Sequence, residues 1–114
     1  YICIKYTVVF VITNDIYSPL EKVLPKENTI MMGDFNATPE SSVIKKMREV
    51  FTDTDPASEP TWSVYPEGCS GCNPHKVFIR LDYIFTSRDI KANSPKVHQS
   101  KGSDHLPISA VVDI

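Results

Sequence analysis

The feature that most constrains the fold is a near-continuous apolar run close to the start of the sequence. Residues 5–13 read KYTVVFVIT. β-Branched and aromatic side chains suit a pleated surface, and a strand that is apolar on both faces must be covered on both. The run therefore predicts a buried strand in a layered α/β arrangement. With 114 residues, of which 41% are hydrophobic, the chain has the size of one small domain with its own core.

Helices are predicted on either side of a second apolar segment, residues 29–33, which itself predicts a strand. Thr38 is a good N-cap and Pro39 suits the first helical position. The apolar residues beyond them recur at the spacing of one helix face; they are Val43, Ile44, Met47, Val50 and Phe51. A shorter helix is predicted from Ser18 to Pro25.

The second half of the sequence predicts a long loop followed by three strands. Residues 52–74 are rich in Asp, Pro, Ser and Gly and predict a surface loop with one short strand at 61–65. A strand is predicted at 77–87, with Arg80 and Asp82 as a polar pair inside it. Residues 88–98 predict an irregular edge strand interrupted by Pro95. A last strand is predicted at 106–114, with alternating apolar residues at 108, 110, 112 and 114.

Bulk charge and targeting signals leave the partners and the compartment open. The net charge of -2 and pI near 5.9 argue against wholesale electrostatic binding to nucleic acid or anionic membrane. No apolar run approaches the roughly 18 residues of a membrane helix, and no targeting segment is apparent. The three cysteines do not suggest a disulfide framework, which slightly favours a reducing compartment. Localisation is left unassigned.

A second kind of site is suggested by Cys69 and Cys72, which with His75 have the spacing of half a zinc site. The other candidate ligands, Cys3 and His98, are distant in the sequence. The alternatives are a Gly-rich loop tip, a redox pair or a zinc site completed between molecules.

Acid, amide and imidazole groups stand where three predicted core strands meet loops. They are Asp34 and Asn36, then Asp82, then Asp104 and His105. If the strands are neighbours, these groups converge at one rigid edge. Carboxylates alone would repel a phosphate, but with Mg²⁺ they can hold one, and a histidine oriented by an aspartate can face developing negative charge. The set fits hydrolysis of a phosphate ester by an in-line water.

Each motif also has a purely structural interpretation. Asp34-Phe35-Asn36 could be a turn former, because both polar side chains can bond nearby backbone. Asp82 could be the buried partner of Arg80 or of a loop amide, and Asp104-His105 could simply form a turn. Trp62 is predicted to be a packing residue, with base or sugar stacking as the alternative.

Three motifs taken in order resemble a known superfamily. GDFN at 33–36, RLDYIF at 80–85 and SDHLPI at 103–108 resemble the C-terminal motifs of the endonuclease/exonuclease/phosphatase superfamily of metal-dependent phosphoesterases. The resemblance implies that Asp34 orients or deprotonates the water and assists the metal with Asp104. It implies that Asn36 holds the water or phosphate, that Asp82 orients His105, and that His105 contacts the scissile phosphate. The PTW at 60–62 resembles a looser feature of the same superfamily.

The resemblance also implies a fold, a cofactor and a class of substrate. It predicts half of a layered α/β sandwich, mostly antiparallel sheet with flanking helices, and Mg²⁺ as cofactor with Mn²⁺ as substitute. Residues 1–114 resemble the C-terminal half of the domain, because the family's early asparagine and principal metal-binding glutamate are not found. The histidine that commonly follows the first strand in this family is also not found, and the resemblance makes Asn14 a partial replacement for it. Self-association, or docking of a preceding segment, would cover the exposed face.

The substrate class stays open among nucleic acids, phospholipid head groups and sugar phosphates. A non-catalytic truncated domain that serves in binding or oligomerisation is the alternative to an enzyme. A small zinc-binding module built on Cys69, Cys72 and His75 is a third possibility.

Overall fold

The computed structural model describes the backbone of Thr7–Val11 and the residues 24–65 and 75–113. Within these residues the elements are β1 (Thr7–Val11), β2 (Thr29–Asp34), α1 (Ser42–Val50), β3 (Thr52–Asp53), β4 (Asp82–Thr86), β5 (Lys91–Val97) and β6 (Ile108–Asp113). The helix predicted from Ser18 lies outside the described residues except for its end, and Cys3, Cys69 and Cys72 lie outside them altogether.

The strands form two sheets. The first has the order β1-β2-β4-β3, in which β1 and β2 are parallel and the other neighbours are antiparallel. The second pairs β5 with β6 in antiparallel fashion, with a register shift between Asn93 and Lys96. This shift spans Pro95, which cannot donate to a ladder, so the predicted irregular edge strand is confirmed. Mostly antiparallel sheets with a helix confirm the predicted α/β class and agree with a partial α/β sandwich.

The core lies between α1 and one face of the first sheet. Aromatic rings dominate it: Phe35 meets Tyr83 and Phe85 edge-on, with ring centroids 5.4 Å away in both pairs, while Tyr83 and Phe85 stack at 5.5 Å. Such geometries add to the gain from burying the rings. The buried members of the core are Met31, Phe35, Ile44, Met47, Phe51, Tyr83 and Phe85. The predicted inner face of the helix is therefore confirmed, with Val43 and Val50 packed at its margin.

Tyr83 links β4 to the loop that follows β2. Its hydroxyl donates to the Ala37 carbonyl oxygen at 2.8 Å, and the Arg80 guanidinium lies 4.1 Å above its ring. Burial raises the pKa of Tyr83 well above its usual value, although nearby Arg80 opposes the shift. The hydroxyl therefore remains a donor throughout the physiological pH range.

The second sheet lies against the other side of β4. Ile84 of β4 lines a small gap between the sheets together with Val97 of β5 and Ile108 of β6. Along β6 the even-numbered residues are partly buried, whereas the odd-numbered ones are exposed. This confirms the predicted alternation at 108, 110 and 112, while residue 114 lies outside the described residues.

The predicted strand at 77–87 is shorter in the structure, because β4 begins at Asp82. The backbone N–H of Leu81 donates to the Thr61 side-chain oxygen at 3.2 Å, and Ile79 pairs with Trp62 in an isolated bridge. The backbone before Asp82 is therefore bonded to the preceding loop, and the Leu81 carbonyl also accepts from the Phe35 N–H, just beyond β2, at 2.9 Å.

The prediction of a surface loop over 52–74 is confirmed for residues 55–60, which are mostly exposed and lie outside any strand or helix, and is wrong for the described residues on either side of them. Thr52–Asp53 forms β3 beside β4, and four later residues are buried, namely Thr54, Thr61, Ser63 and Val64. The segment turns inward because the Asp53 carboxylate pairs with the buried guanidinium of Arg80. The polar composition near residue 53 is therefore explained by an internal ion pair and not by exposure to solvent.

The start of α1 also differs from the prediction. Ser41 is the N-cap and its Oγ accepts from the Ile44 N–H, while Thr38 and Pro39 lie in a preceding turn closed by a bond from the Ser41 N–H to the Thr38 carbonyl. Pro39 suits the second position of such a turn as well as the first position of a helix, so the sequence signal was ambiguous.

Ser41→Ala is expected to lower the free energy of unfolding by about 1 kcal/mol, because it removes the cap of the helix that covers the core. Thr38→Ala is the matched control and should cost less than about half of that. Urea denaturation monitored by circular dichroism measures both. If Thr38→Ala lowered the free energy of unfolding more than Ser41→Ala, Thr38 would be the N-cap, as predicted from the sequence.

Candidate active site

Two carboxylates meet where β2 ends and β4 begins. Asp34 is the last residue of β2, Asp82 is the first of β4, and the two are direct partners in the antiparallel register. Like charges directly opposite one another are destabilising. The arrangement therefore requires compensation from neighbouring groups.

The backbone around Asp34 explains the residues that flank it. Gly33 has φ 142° and Asn36 has φ 47°, values that glycine and asparagine tolerate better than other residues. The Asn36 N–H donates to Asp34 Oδ1 at 2.8 Å. The turn that the structural interpretation predicted is therefore present, and it fixes one oxygen of Asp34. The Asn36 side chain is exposed beside it.

His105 lies between the two carboxylates. Its Nδ1 is 2.8 Å from Asp82 Oδ2, which assigns the Nδ1 proton to that bond. Its Nε2 is 3.8 Å from Asp34 Oδ2, too far for a hydrogen bond. A single oxygen atom can lie about 2.8 Å from both atoms at once. His105 Nε2 and Asp34 Oδ2 therefore have the geometry to hold one water molecule or substrate oxygen between them.

Thr61 was missed as a functional candidate by the sequence reasoning. Its hydroxyl donates to Asp82 Oδ2 at 2.6 Å and accepts from the Leu81 and Asp82 N–H groups at 3.2 Å each. Its carbonyl accepts from the Leu106 N–H at 2.8 Å. One residue thus ties the Asp82 carboxylate to the segment that carries His105. The sequence feature that could have pointed to Thr61 is the PTW at 60–62, which resembles a looser feature of the superfamily.

Asp104 lies next to His105 but has different partners. The Trp62 Nε1 donates to Asp104 Oδ2 at 3.1 Å, and the Val64 N–H donates to its carbonyl at 2.7 Å. Trp62 is therefore more than a packing residue. Asp104 is exposed, and it is not among the three residues whose ligand atoms lie within 4.8 Å of one another, which are Asp34, Asp82 and His105.

Arg80 does not pair with the Asp82 carboxylate. Its guanidinium binds Asp53, and only its Nε donates to the Asp82 backbone carbonyl, at 3.2 Å. The Asp82 carboxylate is left for Thr61 and His105. The structural alternative for Asp82, in which it partners Arg80, is therefore wrong.

The cluster is reachable from solvent and fits a hard cation in part. The side chains of Asp34, Asp82 and His105 are 27%, 14% and 24% exposed. Mg²⁺ is commonly held by one or two carboxylates together with waters and substrate oxygens. Asp34 Oδ2 suits this chemistry, whereas Asp82 Oδ2 already accepts two hydrogen bonds. Asp104 lies outside this cluster, and its carboxylate accepts from Trp62 and Ser103.

These features define a class of protein. An α/β fold that brings two carboxylates and an oriented imidazole to adjacent strand ends is typical of enzymes that activate water, often with a metal. A comparison with protein-family models identifies the family: residues 8–105 match the model of the Endonuclease/Exonuclease/phosphatase family. The chain belongs to this family, whose members act on phosphate esters.

Further comparisons add no relatives. Neither the curated proteins nor the solved structures gave a significant match. Within the described residues, no helix has the length and apolarity needed to cross a membrane.

Proposed function

We propose that this chain carries the catalytic groups of a metal-dependent phosphoesterase, which hydrolyses its substrate by in-line attack of water. The observation that supports this most strongly is the gap of 3.8 Å between Asp34 Oδ2 and His105 Nε2. One water or phosphate oxygen can bond both atoms there. Family membership supports the reaction class.

In this proposal each residue has a separate task. Asp34 orients the attacking water and accepts its proton as the new bond from oxygen to phosphorus forms and the bond to the leaving oxygen breaks. In this proposal His105 is the charged imidazolium, whose Nε2–H donates to the scissile phosphate and stabilises its developing charge. Asp82 holds the imidazole through Nδ1, and Asn36 offers an uncharged amide to the water or phosphate.

The metal in this proposal is Mg²⁺, with Mn²⁺ as a substitute. Asp34 and Asp104 would hold it, and when bound it offsets the negative charge that the carboxylates present to a phosphate. Asp82 serves the imidazole instead, because both Thr61 and His105 donate to its Oδ2. Trp62 would fix the orientation of Asp104 through its indole N–H.

We further propose that residues 1–114 form a single partial domain equivalent to the C-terminal half of the family fold. Among the described side chains, the proposed metal ligands are only two; one oxygen of Asp34 and both oxygens of Asp104 already accept hydrogen bonds. This observation favours completion of the site by self-association or by a preceding segment. It also supports the second candidate function, a non-catalytic domain that binds or oligomerises.

The experiment that tests the proposal is hydrolysis of bis-nitrophenyl phosphate by the purified chain, with Mg²⁺ and with EDTA. We expect turnover that requires the metal, and sedimentation in the same buffer reports whether the active species is a monomer. Metal-independent turnover would refute the metal-dependent proposal, and no turnover in any oligomeric state would refute the enzymatic proposal and favour the non-catalytic one.

Thr61→Val is expected to lower the hydrolysis rate by about 10- to 100-fold, because Asp82 loses the donor that holds it toward His105. Valine keeps the shape of threonine but leaves the Leu81 and Asp82 N–H groups without their acceptor, so a fall in rate at temperatures where the variant remains folded would indicate positioning. Thr61→Ser retains the hydroxyl and should restore most of the rate. Equal rates for the valine and serine variants would contradict a positioning role.

A further inference from the structure

A row of aromatic rings leads away from His105 along the surface. We call Trp62, Phe78 and His75 the aromatic strip. The His105 and Trp62 ring centroids are 6.3 Å apart, those of Trp62 and Phe78 are 6.0 Å apart, and those of Phe78 and His75 are 6.4 Å apart. The strip thus begins at the candidate catalytic imidazole.

Backbone hydrogen bonds hold the strip in place. The Phe78 and Ile79 N–H groups donate to the Trp62 carbonyl at 3.1 and 3.0 Å, and the His75 N–H donates to the Val64 carbonyl at 2.7 Å. Residues 75–79 therefore pair with residues 62–64 as an irregular ladder. Rings fixed in this way lose little conformational entropy when a ligand packs on them.

The strip presents apolar surface that the described part of the chain does not cover. Phe78 is 64% exposed, and Phe78 and Val111 are the large exposed apolar residues among the described ones. A single exposed apolar residue is ordinary, but Phe78 is part of a contiguous row that includes exposed His75. Rings in such a row offer flat faces for stacking.

Positive charge lies beside the same strip. A cavity of about 520 Å³ is lined by His75, Lys76 and Lys101 at its rim and by Val64 and Leu106 as apolar residues. Leu106 directly follows His105 in the chain. Lys76 and Lys101 are both exposed. In a chain with a net charge of -2, these two lysines place positive charge at the His75 end of the strip, opposite to the Trp62 end, which carries the Asp104 carboxylate.

We infer that the aromatic strip with Lys76 and Lys101 binds single-stranded nucleic acid, with a nucleobase stacked on Phe78 and the neighbouring phosphates at the lysines. This inference rests on the proposed function, which leaves the phosphate ester open. Single-strand binding combines aromatic faces for bases with cations for the backbone. A sugar phosphate or a lipid head group supplies the anion but no planar ring. Because the strip begins at His105, a base on Phe78 places its own strand beside the candidate site.

Binding can be tested without catalysis. A fluorescein-labelled single strand of about 12 nucleotides is titrated with the chain in EDTA, and anisotropy reports the affinity. Trp62 is the one tryptophan of the sequence, so its quenching reports stacking at the strip. We expect saturable binding with quenching, and a Phe78→Ala variant that binds at least about fivefold more weakly.

Matched controls separate the strip from general surface effects. Val111→Ala removes the other large exposed apolar side chain, on β6, and should leave affinity unchanged. Lys76→Gln combined with Lys101→Gln should reduce the slope of log affinity against log salt by about 1.4, as expected for two phosphate contacts with a single strand. Lys91→Gln with Lys96→Gln, on β5, should not alter that slope.

Two outcomes would overturn the inference. One is equal affinity of Phe78→Ala and Val111→Ala for the single strand. The other is stronger binding to vesicles that carry an anionic phosphoinositide than to nucleic acid. The proposed function is judged separately, by the Mg²⁺-dependent hydrolysis of bis-nitrophenyl phosphate by the unmodified chain. Strand binding without any hydrolysis would refute the enzymatic proposal and leave this inference standing.

Discussion

Asp34→Ala is expected to lower kcat for Mg²⁺-dependent phosphodiester hydrolysis by about 10²- to 10⁴-fold, the range for loss of a positioned acid or base. Asp34 Oδ1 accepts the Asn36 N–H, which leaves Oδ2 to face His105 Nε2 across 3.8 Å. Removing the carboxylate removes both the proposed proton acceptor and one proposed metal ligand. Initial rates at saturating substrate measure the effect.

Asp34→Asn separates the chemical role from the structural one. The amide oxygen can still accept the Asn36 N–H, but the charge directly opposite Asp82 is gone. We therefore expect the same loss of activity with an unchanged or raised melting temperature. The control is Asp113→Asn, an exposed carboxylate at the far end of β6. An active Asp34→Asn enzyme, or one that unfolds earlier, would contradict the assignment.

Asp53→Ala is expected to lower the free energy of unfolding by about 3–5 kcal/mol, the cost of leaving a buried charge without its partner. Both Asp53 oxygens contact Arg80, at 2.8 and 2.9 Å, in a bidentate pair. The two side chains are only 6% and 3% exposed. Without Asp53 the guanidinium would keep its ring contact with Tyr83 but would have no carboxylate partner.

The effect should extend to the candidate site, because the Arg80 Nε also supports the Asp82 carbonyl. Arg48→Ala is the control: Arg48 binds the same carboxylate at 2.8 Å but is 34% exposed, so its loss should cost less than about 1 kcal/mol. Urea denaturation of both variants gives the comparison. A cost for Asp53→Ala no larger than that for Arg48→Ala would show that the buried pair is not a determinant of stability.

The spacing of apolar residues predicted the fold correctly where burial alone determines the structure. The helix face of α1 and the alternation of β6 follow from burial alone, so periodicity was sufficient. The start of α1 could not be predicted, because Thr38 and Ser41 are both good caps and only the turn at Pro39 decides between them. The inward turn of residues 52–54 could not be predicted either, because the Asp53 carboxylate is buried by pairing with Arg80, a residue distant in the sequence.

The candidate site shows the same division. Asp34, Asp82 and His105 stand at strand ends next to apolar runs, so their convergence could be predicted from the order of the motifs. Thr61 could not, because its role depends on a hydroxyl that reaches a strand 21 residues further along the chain. Trp62 was predicted to pack, and its hydrogen bond to Asp104 likewise joins distant segments.

The most direct test of the central claim is a double-mutant cycle on Asp82 and His105, read as kcat/KM for bis-nitrophenyl phosphate with Mg²⁺. If Asp82 acts through the imidazole it holds at 2.8 Å, Asp82→Ala together with His105→Ala should be no slower than His105→Ala alone. Losses that multiply in the double variant, or a His105→Ala variant as fast as the unmodified chain, would contradict the proposed site.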